Sequence, residues 1–301
     1  MKNLILFSIA FTFSIFTNYA QPFNKEIVQE GKTPMLLGKI NKEALSENTY
    51  SKWFLTNYKA YQPNKEKIAE LKKILPEYTI TAFFGTWCGD SKKYIPVFYK
   101  ILDAADFPLE RLTVIALSNE NKYYKQSPGG EEEGLNIHRV PTFIFYKDGK
   151  EINRIIEHPV ENIETDMLQL LTKEYHNFYY GVTLANEELE SLGTKKFIKN
   201  SKKISFKIAP FINSKYDLNT FCKVLLAKEK KEEAIAIAYL NTQIFPSEIS
   251  VYETLANIQG LANKKADAIV NYKKALKIDP EREDLKSLMS LFEKDLKNEK
   301  K

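Results

Sequence analysis

One strand–turn–helix segment in the first half of the chain constrains the fold more than any other feature. Residues 78–84 are β-branched and aromatic, which predicts a buried strand. Cys88 follows within four residues, and residues 91–102 are predicted to form a helix that Pro96 kinks, because proline removes a backbone hydrogen bond. Such a segment is an α/β unit in which the cysteine lies where the helix begins.

The apolar pattern predicts further elements of a sheet on both sides of this segment. Residues 148–149 are Asp-Gly, which favours the positive φ angles of a tight hairpin turn. Residues 119–136 are polar and are predicted to form a loop with one helical turn. Strands are predicted over residues 34–40, 112–117, 142–146 and 151–156, and helices over residues 42–61, after Pro63 and over residues 161–171.

Two motifs resemble the thioredoxin family, and the resemblance covers roughly residues 63–172. Trp87–Gly89 resembles the family's tryptophan-cysteine-glycine motif, and Arg139–Thr142 resembles its cis-proline loop. The predicted helix kink also falls where family members have one. The resemblance implies an α/β thioredoxin-like domain, with a central mixed sheet flanked by helices and a cis bond before Pro141. It also implies that Val140 presents its backbone to an extended substrate.

The chain departs from that family at three positions. Ser91 stands where a second cysteine is usual, Asp90 replaces a proline or histidine, and Ala82 replaces an aspartate that many members bury. An attack by Cys88 on a disulfide therefore yields a mixed disulfide with no local thiol to release it. Such a site suits isomerisation or exchange with an external thiol. It does not suit net oxidation or reduction by a self-contained dithiol.

Cys88 is the predicted nucleophile, because the backbone N–H groups and the dipole of a helix start favour the ionised thiolate. The Ser91 hydroxyl lies within one helical turn and is predicted to donate a hydrogen bond to the sulfur, as a second catalytic residue. The Asp90 carboxylate opposes the thiolate. The residues predicted to bind substrate are Trp87, Gly89, Asp90, Val140 and Pro141.

The other cysteine and the three histidines are given lesser roles. Cys222 is predicted to be a buried structural cysteine, with a distant resolving thiol as the alternative. His138 is predicted to be solvated at the edge of the cis-proline loop, with activation of the thiol as the alternative. No metal site or cofactor is predicted, because His158 and His176 have no neighbouring ligands at metal spacing.

Residues 215–301 carry an internal repeat. Ala234 and Ala268 are 34 residues apart, and so are Pro246 and Pro280. This period resembles that of the tetratricopeptide repeat, which is a pair of antiparallel helices. Two such repeats with a capping helix over residues 283–297 are predicted to form an all-α domain that binds a protein partner.

The first twenty residues are predicted to be a secretory signal peptide. Lys2 precedes the apolar stretch Leu4–Phe16, and the cleavage site is placed after Ala20, with an uncleaved anchor as the alternative. Residues 21–62 are predicted to be an N-terminal extension. Residues 173–214 are an unassigned linker region in which residues 200–207 are interpreted as a basic loop.

Two hypotheses of function follow. The first is an exported, periplasmic thiol–disulfide exchange protein that uses one cysteine in isomerase- or reductase-like chemistry on exported proteins with cysteines or disulfides. The alternative is a non-catalytic adaptor, in which Cys88 is a leftover and both domains only bind protein. A net charge of +5 over 301 residues, without basic clusters interleaved with aromatics, excludes nucleic acid as a partner. Membrane contact is predicted only through an uncleaved signal peptide.

Overall fold

A computed structural model describes residues 23–298, and the predicted signal peptide lies outside them. A six-stranded mixed sheet forms its centre, which confirms the predicted α/β class. The strands are β1 (Lys25–Ile27), β2 (Met35–Ile40), β3 (Thr79–Phe84), β4 (Leu112–Ala116), β5 (Thr142–Lys147) and β6 (Lys150–Ile156). Their order across the sheet is β1-β2-β4-β3-β5-β6, and only the β3–β4 pair is parallel.

Both ends of the sheet follow from local sequence. Asp148 and Gly149 have φ angles of 52° and 76°, so the turn between β5 and β6 is the tight hairpin that was predicted. At the opposite edge, β1 and β2 pair in antiparallel fashion and β2 pairs with β4. The residues predicted as an N-terminal extension therefore supply two strands of the sheet.

Within the first half of the described residues, five α-helices accompany the strands. They are α1 (Lys42–Ser46), α2 (Asn48–Ala60), α3 (Lys65–Ile74), α4 (Gly89–Ala104) and α5 (Ile163–Thr172). The single helix predicted over residues 42–61 is wrong, because the backbone at Glu47 is extended and divides it. Leu45 and Tyr50 are both buried although five residues apart, and one continuous helix would place them on different faces.

The two faces of the sheet are covered differently. Phe84 of β3 faces a large core, which α1 to α5 cover and in which Phe98 of α4 stacks on Phe143 at a centroid distance of 4.1 Å. The neighbouring Phe83 faces a smaller core, because successive strand residues alternate between faces. Segments after β4 close this smaller core, and Val140 belongs to it. Cys88 lies against this second face.

The second half of the described chain is helical, as predicted for residues 215–298; the sequence leaves residues 173–214 unassigned. Its helices are α6 (Tyr180–Ile208, divided into two parts by a non-helical backbone at Gly193, φ 68° and ψ 161°), α7 (Lys215–Ala227), α8 (Lys231–Ile244), α9 (Ile249–Leu261), α10 (Lys265–Ile278) and α11 (Glu283–Asn298). The interpretation of residues 200–207 as a loop is wrong, because they lie within α6. Phe197, Ser201, Ile204 and Ile208 are buried at helical spacing, while the lysines between them are exposed. Because of these lysines the segment is polar on average, so its helical pattern is not evident from the sequence alone.

The helices recur with the period of the sequence repeat. α7 and α9 begin 34 residues apart, and so do α8 and α10. Fully buried alanines, among them Ala234 and Ala268, lie in the cores of the two helix pairs and permit close packing. Cys222 is buried there, as predicted, and donates a hydrogen bond to the carbonyl of Ala234 at 3.5 Å. Burial raises the pKa of the Cys222 thiol.

Within residues 23–298, no helix combines the length and the apolar content that crossing a membrane requires.

Candidate active site at Cys88

Cys88 occupies the position immediately before α4, four residues after β3 ends. Its backbone is extended, with φ −89° and ψ 130°, and its N–H donates to the carbonyl of Gly85 at 2.9 Å. This tight turn carries the chain from the sheet into the helix. The cysteine is partly exposed, and no side chain caps the first N–H groups of α4 in the described structure. The thiol therefore lies in the positive field of a helix start.

The structure brings the cysteine and the predicted cis-proline loop together. The Sγ of Cys88 donates a hydrogen bond to the carbonyl oxygen of Val140 at 3.2 Å. The bond between Val140 and Pro141 is cis, as the resemblance implied. Two segments that are 52 residues apart in sequence thus meet at one thiol.

The indole of Trp87 forms one wall beside the thiol. Its Nε1 donates to the carbonyl of Leu117 at 2.8 Å, which holds the ring against the end of β4. The ring of Tyr124 lies next to it, with centroids 6.2 Å apart. Gly85 packs so closely under the indole that a Cβ atom built there would come within 2.5 Å of the ring. A glycine at this position therefore sets where the indole lies.

Gly85→Ala is expected to displace the indole of Trp87 and to lower the free energy of unfolding by about 1–2 kcal/mol, because the Leu117 hydrogen bond is lost. Tryptophan emission in a Trp53→Phe background checks the displacement and is expected to shift to longer wavelength. Gly89→Ala is the matched control, since a Cβ there meets no atom within 4 Å. Equal spectra for the two variants would contradict the assignment.

The predicted hydrogen bond from Ser91 to the sulfur is absent from the described structure. The Ser91 side chain is fully buried, and its hydroxyl accepts a hydrogen bond from the N–H of Gly85 at 3.2 Å. This hydroxyl closes the turn between β3 and α4. Ser91 therefore supports the position of Cys88 through the backbone.

The two residues between Cys88 and Ser91 lie at the surface. Gly89 is exposed and Asp90 is partly exposed in the first turn of α4. A carboxylate is favoured at that end of a helix, although its charge works against a neighbouring thiolate.

His138 is buried, so its prediction as a solvated histidine is wrong. Its Nδ1 lies 3.2 Å from the carbonyl of Asn136, and its ring contacts those of Tyr179 and Phe221 edge-on. Burial lowers the pKa of His138 to about 3, so the imidazole is neutral near pH 7. None of its hydrogen bonds or ring contacts within residues 23–298 involves Cys88. His138 belongs to the junction with the helical region.

Sequence reasoning missed a buried lysine near the site. Lys125 is 3% exposed, donates from Nζ to the carbonyl of His138 at 2.5 Å, and lies 4.8 Å above the ring of Tyr124. The pKa of Lys125 is lowered to about 7, mainly by burial and also by the charge of Arg139, while Glu157 and Cys88 act in the opposite direction. A lysine in a polar loop carries no sequence signal for such burial.

Arg139 connects the cis-proline loop to the helical region. Its guanidinium pairs with Glu157 at 3.0 Å and lies 4.5 Å above the ring of Tyr179. It also donates to the hydroxyl of Thr220 on α7 at 3.2 Å. Because Arg139 directly precedes Val140, these contacts anchor the residue whose carbonyl meets the thiol.

Comparison with known proteins agrees with this geometry over the first half of the chain. Residues 40–176 match the family model described as thioredoxin. Thioredoxin of Chlamydia muridarum is 34% identical over 74 residues, 25% of this chain and 63% of that protein. Thioredoxin-2 of Saccharomyces cerevisiae is 30% identical over 78 residues, 26% of this chain and 64% of that protein.

A third relative, thioredoxin Asp f 29 of Aspergillus fumigatus, is 27% identical over 72 residues, 24% of this chain and 58% of that protein. The chain thus spans less than two thirds of the length of each of these three relatives. The similarity therefore concerns the sheet and its helices.

Proposed function

Because the chain carries a thioredoxin-like domain, we propose that it exchanges thiols and disulfides through a single cysteine, Cys88. One observation carries the proposal. A partly exposed thiol lies at the start of α4, 3.2 Å from the carbonyl of Val140 in a cis-proline loop. The position of a second cysteine is held by the buried Ser91.

The reaction follows from that arrangement. Cys88 releases its proton to solvent, and the thiolate attacks one sulfur of a substrate disulfide. A new S–S bond joins Cys88 to the substrate while the original S–S bond breaks, and the second substrate sulfur leaves as a thiolate. A second thiol, on the substrate or in solution, then attacks the mixed disulfide and restores Cys88. Isomerisation results when that thiol belongs to the substrate.

The cis-proline loop at Val140 provides the proposed binding site for the substrate backbone. The Val140 carbonyl accepts a hydrogen bond from the Cys88 thiol at rest, and it becomes available to a substrate N–H once the sulfur is ionised or bonded. An extended substrate segment can therefore pair with this backbone, largely without regard to its sequence. In this proposal Trp87 and Pro141 flank the bound substrate segment, and Gly89, which has no side chain, leaves room for it beside Cys88.

The helical repeats are proposed to bind a protein partner, and the N-terminal residues are proposed to direct export of the protein. The 34-residue recurrence of α7–α10 supports two tetratricopeptide repeats with α11 as their cap, binding a protein partner. The residues before position 21 support export to the periplasm, where proteins with cysteines or disulfides would be the substrates.

Trapping of mixed disulfides tests this function. Incubation with a disulfide-containing peptide is expected to give one covalent complex through Cys88, none with Cys88→Ser, and an unchanged yield with Cys222→Ala. Ser91→Cys is expected to reduce the trapped complex at least about tenfold, because a local thiol then releases the substrate. Mass spectrometry of the unreduced protein measures each yield.

The opposite result supports the adaptor. A Cys88 that forms no complex in the folded protein, yet reacts once the protein is unfolded in urea, would contradict the exchange function.

A further inference from the structure

The helical region reaches the edge of the Cys88 site through α7. Gln126, in the segment after β4, donates from Nε2 to the carbonyl of Ala227 at the end of α7, at 2.9 Å. Arg139 donates to the carbonyl of Tyr216 at 3.4 Å, near the start of the same helix, and to the hydroxyl of Thr220 at 3.2 Å in its middle. Phe221 contacts the ring of His138, with centroids 5.8 Å apart. Contacts at both ends of α7 therefore fix it against the segments that border the thiol.

Lys223 lies between these contacts and reaches toward the site. Its Nζ lies 4.1 Å from the centroid of the Tyr124 ring, and that ring lies 6.2 Å from the ring of Trp87. Trp87 is the residue directly before Cys88. A single aromatic side chain, Tyr124, thus lies between the Lys223 ammonium group and the Trp87 indole beside the thiol.

The charge on Lys223 is available to a ligand. The residue is exposed, and within residues 23–298 its ammonium group has no carboxylate partner. Glu157, an acidic residue at this junction, is already paired with Arg139. Asp90 contributes a carboxylate from the first turn of α4, whereas Lys223 contributes a cation from α7.

We infer that Lys223 selects disulfides that carry a carboxylate beside the reacting sulfur, with the ammonium group binding that carboxylate across the Tyr124 ring. This inference rests on the proposed exchange at Cys88 and names its preferred substrate class. Lys223 acts as a specificity residue contributed by the helical region, and it takes no part in the bond exchange. The carboxylate belongs either to a small acidic disulfide or to an acidic residue that flanks a cysteine in a protein.

Reaction rates with charged and neutral disulfides test the inference. In a Cys222→Ala background, the rate with dithiobis(nitrobenzoate), which is anionic, is compared with the rate with dithiodipyridine, which is neutral. Each reaction joins Cys88 to one half of the reagent and releases the other half as a thiolate. At low ionic strength, Lys223→Glu is expected to lower the ratio of the dithiobis(nitrobenzoate) rate to the dithiodipyridine rate about fivefold. Added salt is expected to remove this difference between the variant and its parent.

Lys274→Glu is the matched control. Lys274 lies 5.9 Å above the ring of Tyr252 in the second helix pair, so the variant makes the same change in net charge over another tyrosine. Its rate ratio is expected to equal that of the parent. A ratio that Lys223→Glu leaves unchanged, or that Lys274→Glu lowers equally, would overturn the inference. Both outcomes leave exchange at Cys88 intact, whereas a Cys88 that reacts with neither reagent contradicts the proposed function itself.

Two peptide disulfides separate the sources of the carboxylate. One carries glutamates beside its cysteine and the other carries glutamines. A protein substrate predicts that, of the two peptides, Lys223→Glu slows only the one with glutamates, in addition to lowering the dithiobis(nitrobenzoate) rate. A small acidic disulfide predicts that the dithiobis(nitrobenzoate) rate falls while the two peptides stay equal. If Lys223→Glu and its parent react at equal rates with both reagents and both peptides, neither source of the carboxylate is supported and the inference is overturned.

Discussion

Arg139→Met is expected to lower the free energy of unfolding by about 3–5 kcal/mol, because it leaves a buried carboxylate without its partner. The Arg139 and Glu157 side chains are only 16% and 13% exposed, and they pair at 3.0 Å. Tyr179 donates a further hydrogen bond to Glu157 and His158 lies 3.8 Å from it, so the carboxylate keeps these neighbours but loses the charge of Arg139. Urea denaturation followed by circular dichroism measures the change.

An exposed ion pair gives the matched control for this variant. Lys147 pairs with Glu77 at 2.5 Å, but the two side chains are 41% and 60% exposed. Lys147→Met is therefore expected to lower the free energy of unfolding much less than Arg139→Met does. Arg139→Met should also speed hydrogen exchange in α7, because Thr220 loses its donor. Equal losses in the two variants would show that the Arg139 pair contributes no more than a surface contact.

The stability of the protein is expected to rise with pH between about 7 and 10 through Lys125. Burial lowers the pKa of this lysine from 10.5 to about 7 in the folded chain. In that interval the unfolded chain binds a proton that the folded chain has released, so raising the pH favours folding, by up to about 4 kcal/mol in total. Below pH 7 the lysine is protonated in both states and its contribution is constant.

Lys125→Met removes this titration and isolates its effect. As pH rises from 7 to 10, the free energy of unfolding of the parent is expected to increase relative to that of Lys125→Met. Lys122→Met, at an exposed position in the same loop, is expected to leave the pH dependence unchanged. Parallel pH profiles for the parent and Lys125→Met would mean that the lysine is solvated in the folded protein.

Some features of the candidate site were predictable because they depend on short segments. The strand–turn–helix around Cys88 follows from an apolar run and a helical pattern within about 25 residues. The cis bond before Pro141 came from the family resemblance. The helix pairs followed from a 34-residue period. In contrast, the Ser91 hydroxyl had two available partners, and only the path of the backbone shows that it bonds to Gly85.

The sequence by itself determined the α/β sheet, the position of the cysteine before α4 and the helix pairs after residue 214, because periodicity and turn chemistry act over neighbouring residues. Only the tertiary structure decided what surrounds the thiol. The junction joins residues far apart in sequence, with a separation of 81 residues for Arg139 and Thr220 and of 101 for Gln126 and Ala227. Burial of Lys125 and His138, and the approach of Lys223, depend on that docking, because desolvation and charge pairing arise only when distant segments meet.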